Sequence, residues 1–121
     1  MSADPYGDTV RQLFAAPVHA GELRGGRSVF LHDQDVRIRL DASVETGAIS
    51  AMRFQAWGCP HVIAAAEAIC AGLEGASVGD LLEFSAGDLM ENLPVPVEKT
   101  GRILVLEDAV RSLGRMISDG S

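Results

Sequence analysis

The sequence predicts an α+β fold, a small three-stranded antiparallel sheet with helices packed on one face. Three observations carry this. Apolar and polar residues alternate with a period of two over Val36–Leu40 and again between Ile49 and Trp57, the mark of half-buried strands. Apolar residues recur at helical spacing over Val62–Leu73 and Ile103–Ile117, the mark of amphipathic helices. The order is one helix, then strands joined by short connections, then helices, which suits helices layered on an antiparallel meander.

The first helix is predicted over Pro5–Ala15, where Tyr6, Val10, Leu13 and Phe14 share a face and Pro17 closes the segment. Gly21 to Arg27 carries three glycines and reads as loop. Val29–Leu31 is a short strand. In the next strand Val36, Ile38 and Leu40 alternate with Arg37, Arg39 and Asp41. Glu45-Thr46-Gly47 is a turn, and Ile49–Trp57 is the third strand. Gly58-Cys59-Pro60 ends that strand and opens a helix, because proline fits the first helical position. Val62, Ala66, Ile69 and Leu73 form its stripe, and Gly75 stops it. Capping-type signals at Ser77–Asp80 and Ser85–Asp88 each open a short helix. Leu93-Pro94-Val95-Pro96 is extended, since residues before proline avoid the helical region. The last helix spans about Gly101 to Ser118, with Ile103, Leu106, Val110, Leu113 and Ile117 buried.

No repeat, low-complexity tract or long linker divides the 121 residues, so residues 1–121 are expected to form one domain. A net charge of −7 repels phosphate backbones and disfavours nucleic-acid binding. No apolar run reaches the ~20 residues of a membrane span. The opening MSADPYGDTV has no basic stretch followed by an apolar one, so a cytoplasmic location is expected. Cys59 and Cys70 on one helix stand about 16 Å apart along its axis, beyond the ~7 Å that a disulfide allows.

Cys59 is the foremost candidate residue. It falls where a strand meets a helix, and the partial positive charge of a helix N-terminus favours a thiolate, which is both a metal ligand and a sulfur nucleophile. The competing reading is a small packed apolar residue, and that reading is preferred for Cys70, mid-helix beside Ile69. Asp33 and Asp35 flank Gln34, with His32 adjacent; carboxylates two apart on an extended chain face one side and suit hard or borderline metals, although such residues also make solvated turns. His61 reads as an exposed first-turn histidine, and His19 as a loop residue without a local partner. There is no phosphate-binding glycine loop, no Gly-x-Ser-x-Gly elbow and no Cys-x-x-Cys pair. A Cys59 nucleophile served by His61 or His32 lacks a third, orienting group, so an enzyme is not expected.

The run Met52-Arg53-Phe54-Gln55-Ala56-Trp57-Gly58-Cys59-Pro60-His61-Val62-Ile63-Ala64-Ala65-Ala66 resembles the segment around the second cluster cysteine of IscU/NifU-type iron–sulfur scaffolds. Tyr6, Val10, Pro17 and Gly21 are similar to that family's opening helix and its exit. The spacing from Asp35 through Gly47 to Cys59 is similar without gaps. Leu93-Pro94-Val95-Pro96-Val97 resembles its Leu-Pro-Pro-Val segment, and Ile103–Ala109 the opening of its final helix. The resemblance implies a scaffold that receives persulfide sulfur from a cysteine desulfurase and builds a [2Fe–2S] cluster, or binds zinc, on three cysteines and an aspartate. Position by position, Cys59 stands at the second cysteine and Asp35 at the aspartate. Asp33 stands at the first cysteine, and the third and its preceding histidine fall at Arg102 and Gly101, or one residue earlier. The implied ligands are therefore Cys59, Asp35 and Asp33, one thiolate and two carboxylates, for iron, zinc or a labile cluster; with two family cysteines missing, the cofactor is also open to having been lost. A cluster shared between two chains would make a homodimer. The resemblance also implies a chaperone contact at Leu93, Pro94, Val95, Pro96 and Val97, with an inserted valine between the prolines. The second reading is a metal-free module that docks on a desulfurase or another assembly protein.

Overall fold

The computed structural model describes residues 17–33, 35–93 and 100–120. The helix expected over Pro5–Ala15 and the extended stretch Pro94–Val97 lie outside them. Three strands, β1 (Arg27–Asp33), β2 (Val36–Glu45) and β3 (Ala48–Trp57), are followed by α1 (Pro60–Leu73), α2 (Val78–Leu82), α3 (Ala86–Asn92) and α4 (Thr100–Gly120). The strands form an antiparallel sheet in the order β1-β2-β3. This is the expected α+β layout, with corrections of extent: β1 already begins at Arg27, read as loop, and β2 runs to Glu45, read as turn. β1 runs on through His32 and Asp33, because the tight turn to Val36 keeps their backbone paired although their side chains carry no apolar alternation.

Both hairpins are two-residue connections, which need left-handed backbone. Thr46 (φ 50) and Gly47 (φ 80) supply it between β2 and β3. Between β1 and β2 it comes from Asp35 (φ 62), aspartate being one of the few side chains that tolerate that region.

The dry face of the sheet is Val36, Ile38, Leu40, Ala42, Met52 and Phe54, all buried. Helix α1 packs on β3 and α4 on β1 and β2. The stripes expected of both helices are buried in full, Val62, Ala66, Ile69 and Leu73 in α1 and Ile103, Leu106, Val110, Leu113 and Ile117 in α4. Helix α1 is buried over more than that stripe. Ala64, Ala65, Cys70 and His61 are also inside, since small side chains let the helix sink between sheet and neighbours. His61, expected to be exposed, is thus only 2% accessible. Ser77 forms a complete capping box with Asp80, whereas Ser85 makes no side-chain cap; the Ala86 N–H is taken instead by Glu107 of α4 at 2.9 Å.

The two sheet edges differ. Along β3, Gly21 N–H donates to Phe54 O at 2.8 Å, Phe54 N–H to His19 O at 3.0 Å, Gly75 N–H to Ile49 O at 2.7 Å and Ile49 N–H to Ala76 O at 2.8 Å. Among the described residues, no segment pairs with the outer edge of β1. The 21–27 loop is tied to the sheet by Asp41, a buried carboxylate that accepts from Leu23 N–H (3.0 Å), Ser28 Oγ (2.7 Å) and Arg39 Nε (2.9 Å). Burial alone would raise its pKa, but these three donors outweigh that and hold it below the ordinary value.

Gly114 of α4 sits where a Cβ would come within 3.0 Å of Leu81 Cβ and 3.1 Å of Leu82 N, while Gly72 of α1 faces open space. Helix propensity favours alanine by about 1 kcal/mol at either site, and overpacking opposes it by about 1–3 kcal/mol at the first. Gly72→Ala should therefore raise the melting temperature and Gly114→Ala lower it, by differential scanning calorimetry of the two variants.

Candidate functional site

Residues Gly58, Cys59 and Pro60 turn the chain from β3 into α1. Cys59 is the N-cap, with extended backbone (φ −78, ψ 167) and Pro60 behind it in the first turn. Its carbonyl accepts from Val62 N–H at 3.0 Å and Ile63 N–H at 3.2 Å. Its side chain makes no cap hydrogen bond and is half-buried against the core. The thiol is thus neither sealed away nor spent on satisfying the helix, and it sits at the positive end of the α1 dipole. Gly58 precedes it because a Cβ there would press on Val62 at 3.3 Å.

The register puts the acidic residues at the same end of the sheet as that thiol. The last β2–β3 pair at this end is Arg37↔Trp57. Asp35 lies two residues before Arg37 and Cys59 two residues after Trp57, so both stand just past the end of the ladder on neighbouring strands. Asp33 ends β1 opposite Val36. Asp33 and Asp35 are exposed, as is His32. Arg102 is half-buried in the first turn of α4. Helix α4 runs back from this end, since its Gly114 packs on Leu81 and Leu82 of α2, whose entry at Val78 is tied to Gly47 in the turn at the far end of the sheet. Among the described residues, no three His, Cys, Asp or Glu side chains converge as a metal-holding group. The sheet end collects the candidate donors without closing them into a cage.

Beside Cys59 lies a shallow apolar groove lined by Pro17, Gly21, Phe54, Ala56, Trp57 and Ile63. Trp57 is 52% exposed at its rim. Cys70, one helix away from any surface, is packed in the core. Burial pushes its thiol pKa up, and the charges of Glu67 and Glu74 push it further, so it takes no part in thiolate chemistry.

A polar cluster that sequence reasoning missed centres on His19. Its backbone N–H donates to Glu67 Oε1 at 2.7 Å, its Nδ1 contacts Glu67 Oε2 at 2.5 Å and its Nε2 contacts Glu74 Oε1 at 2.9 Å. Glu74 also accepts from Met52 N–H at 2.9 Å and Arg53 Nη1 at 2.8 Å. Carboxylates accept only, so an imidazole held between two of them donates from both nitrogens and is an imidazolium. Burial lowers its pKa, but the bonds and charges of Glu67 and Glu74 outweigh this and raise it above the ordinary 6.5. Glu74 is lowered below 4.5, burial being outweighed by Met52, His19 and Arg53. The partners lie 48 and 55 residues away in sequence, beyond the reach of any local pattern.

The sequence matches the NifU-like N-terminal domain family over residues 5–113. No curated protein matches. Among solved structures, the N-terminal domain of a nitrogen-fixing NifU-like protein from Brucella abortus superposes with a TM-score of 0.75 at 16% identity, covering 95% of each chain. A protein described as a candidate iron–sulfur cluster assembly scaffold for the SUF system, from Fervidobacterium islandicum, superposes with a TM-score of 0.60 at 13% identity over 87% of this chain and 81% of its own. At these identities the likeness is one of fold.

The His19 clasp has a defined pH dependence. A histidine whose pKa is raised in the folded state contributes stability that is complete below 6.5 and lost as pH rises through the folded value. The melting-temperature difference between wild type and His19→Gln should be largest near about pH 6 and shrink under alkaline conditions. A difference that grows with pH would refute the assignment.

Proposed function

We infer, because this chain belongs to the NifU-like N-terminal domain family, that it serves iron–sulfur cluster assembly as a diverged scaffold. Cys59 supplies the thiolate and Asp35 and Asp33 supply carboxylates. Iron, zinc or a labile [2Fe–2S] cluster is the cargo they hold. The observation that carries this reading is the half-buried thiol at the α1 N-cap, at the same end of the sheet as the Asp33–Asp35 turn. A helix N-terminus favours the anionic sulfur that a metal requires.

The donor chemistry defines how firmly such cargo is held. A [2Fe–2S] cluster wants four donors, typically thiolates, and this chain offers one with two harder carboxylates. The guanidinium of Arg102 opens α4 at the position of a third family ligand and opposes a cation. The remaining donors therefore come from outside the chain, from a small thiol or a partner protein, and the cargo is labile. The partners this reading calls for are a cysteine desulfurase and an assembly chaperone, the latter at Leu93, Pro94, Val95, Pro96 and Val97.

A second reading rests on the absence, among the described residues, of three converging donors. It is a metal-free docking module that uses the same sheet end, with exposed Trp57 and its groove, to contact a desulfurase.

Anaerobic reconstitution with ferrous iron, sulfide and an excess of a small thiol separates the two. Wild type should retain iron and visible charge-transfer absorption through desalting, and Cys59→Ser should lose both. If both proteins emerge colourless and iron-free, the metal reading fails. Desulfurase capture that is indifferent to Cys59→Ser would then leave the docking module.

A further inference from the structure

Residues 17–21 lie as a strap along the edge of β3. They join the sheet through one isolated parallel bridge, Ala20 to Phe54. Two main-chain hydrogen bonds make that contact, from Phe54 N–H to His19 O at 3.0 Å and from Gly21 N–H to Phe54 O at 2.8 Å. Val18 and Ala20 are exposed and Gly21 has no side chain, so the strap has little apolar surface to hold it down. Among the described residues its firmest anchor is the His19 side chain, only 14% accessible. Glu67 of α1 is buried, and both of its described donors, the His19 N–H at 2.7 Å and the ring Nδ1, belong to the strap. Glu74, the C-cap of α1, meets His19 Nε2 through one oxygen and takes the Met52 N–H and Arg53 Nη1 on the other.

This arrangement closes only when the ring carries two protons. The charged groups around it are Glu67 and Glu74 on the α1 side and Arg53 on β3. The Cys70 thiol lies in the field of the same carboxylates and stays neutral. Two cations then face two carboxylates. A neutral imidazole has a single N–H, so it sets a lone pair against one carboxylate oxygen at hydrogen-bond distance. It also leaves one carboxylate of the cluster without its counter-charge. We propose that His19 is a proton-operated latch: its imidazolium fastens the 17–21 strap to α1, and loss of one ring proton to solvent releases the strap from the edge of β3 while the rest of the fold stays closed. The same strap walls the groove beside Cys59 through Pro17, Ala20 and Gly21, facing Phe54, Trp57 and Ile63. Release therefore opens that groove and bares the main chain of Phe54.

The test is amide hydrogen exchange of the full, metal-free chain, read residue by residue between about pH 6 and 9 and normalised for intrinsic exchange. The Gly21 and Phe54 amides should lose protection as pH rises, by up to about tenfold per unit above 6.5 until the raised folded pKa of His19 is passed. The Ile38 and Leu40 amides of β2 should outlast them at every pH, which marks a local release. His19→Gln should leave Gly21 and Phe54 weakly protected without that trend. Glu74→Gln should keep them protected at the pH where the native strap lets go. Its amide nitrogen donates to a neutral Nε2 while its oxygen still accepts from Met52 and Arg53, a rescue that a purely structural contact does not give. The proposal is overturned by strap protection that stays level with pH, or by strap and β2 amides that exchange at one common rate. It is equally overturned if Glu74→Gln releases the strap as His19→Gln does. No metal enters these readouts, so their outcome is separate from that of the reconstitution.

Discussion

A three-stranded sheet with helices for only one of its faces must bury that face completely, and most of this structure follows from that constraint. Val36, Ile38, Leu40, Met52 and Phe54 meet the stripes of α1 and α4, a burial of about 1.5–3 kcal/mol for each large side chain. The polar residues between them are held by charge, with Arg39 on Asp41 and Arg53 on Glu74. Because α1 and α4 come from after the sheet in sequence, the chain must leave β3 through one sharp junction and cross over its own strands. Cys59 occupies that junction.

The junction also decides which chemistry is within reach. A residue at a strand-to-helix turn is fixed on both sides by regular structure, so its side chain is presented at a defined place while remaining partly open. The hairpin between β1 and β2 is fixed in the same way by Asp35 in the left-handed region. Two turns at one end of a sheet make a rim that, among the described residues, is not closed into a cage.

Much of the architecture was legible because its signal is periodic. The stripes of α1 and α4 and the alternation of β2 are consequences of one face being dry, and burial agrees with them residue by residue. What was illegible has a common physical cause. His19 finds its carboxylates 48 and 55 positions away, Glu67 is buried with His19 as its partner, and His61 is inside because α1 is small enough to sink on more than one face. None of these depends on local pattern. Of the candidate site, the N-cap place of Cys59 could be read from Gly58 and Pro60, whereas the strand register that puts it at the same sheet end as Asp35 is seen only in the fold. Whether side chains converge is set by the whole packing and has no counterpart in spacing.

The contrast between the two cysteines turns the fold into its own reporter. Cys59 lies at a half-open rim, whereas Cys70 is enclosed by α1, the sheet and the acidic pair Glu67 and Glu74. An electrophile that meets the native chain finds one sulfur, and the second answers only when the helix lifts from β3. Stoichiometry of alkylation therefore counts opening events of that helix, and the lag between first and second label measures how long the lid over the core stays shut.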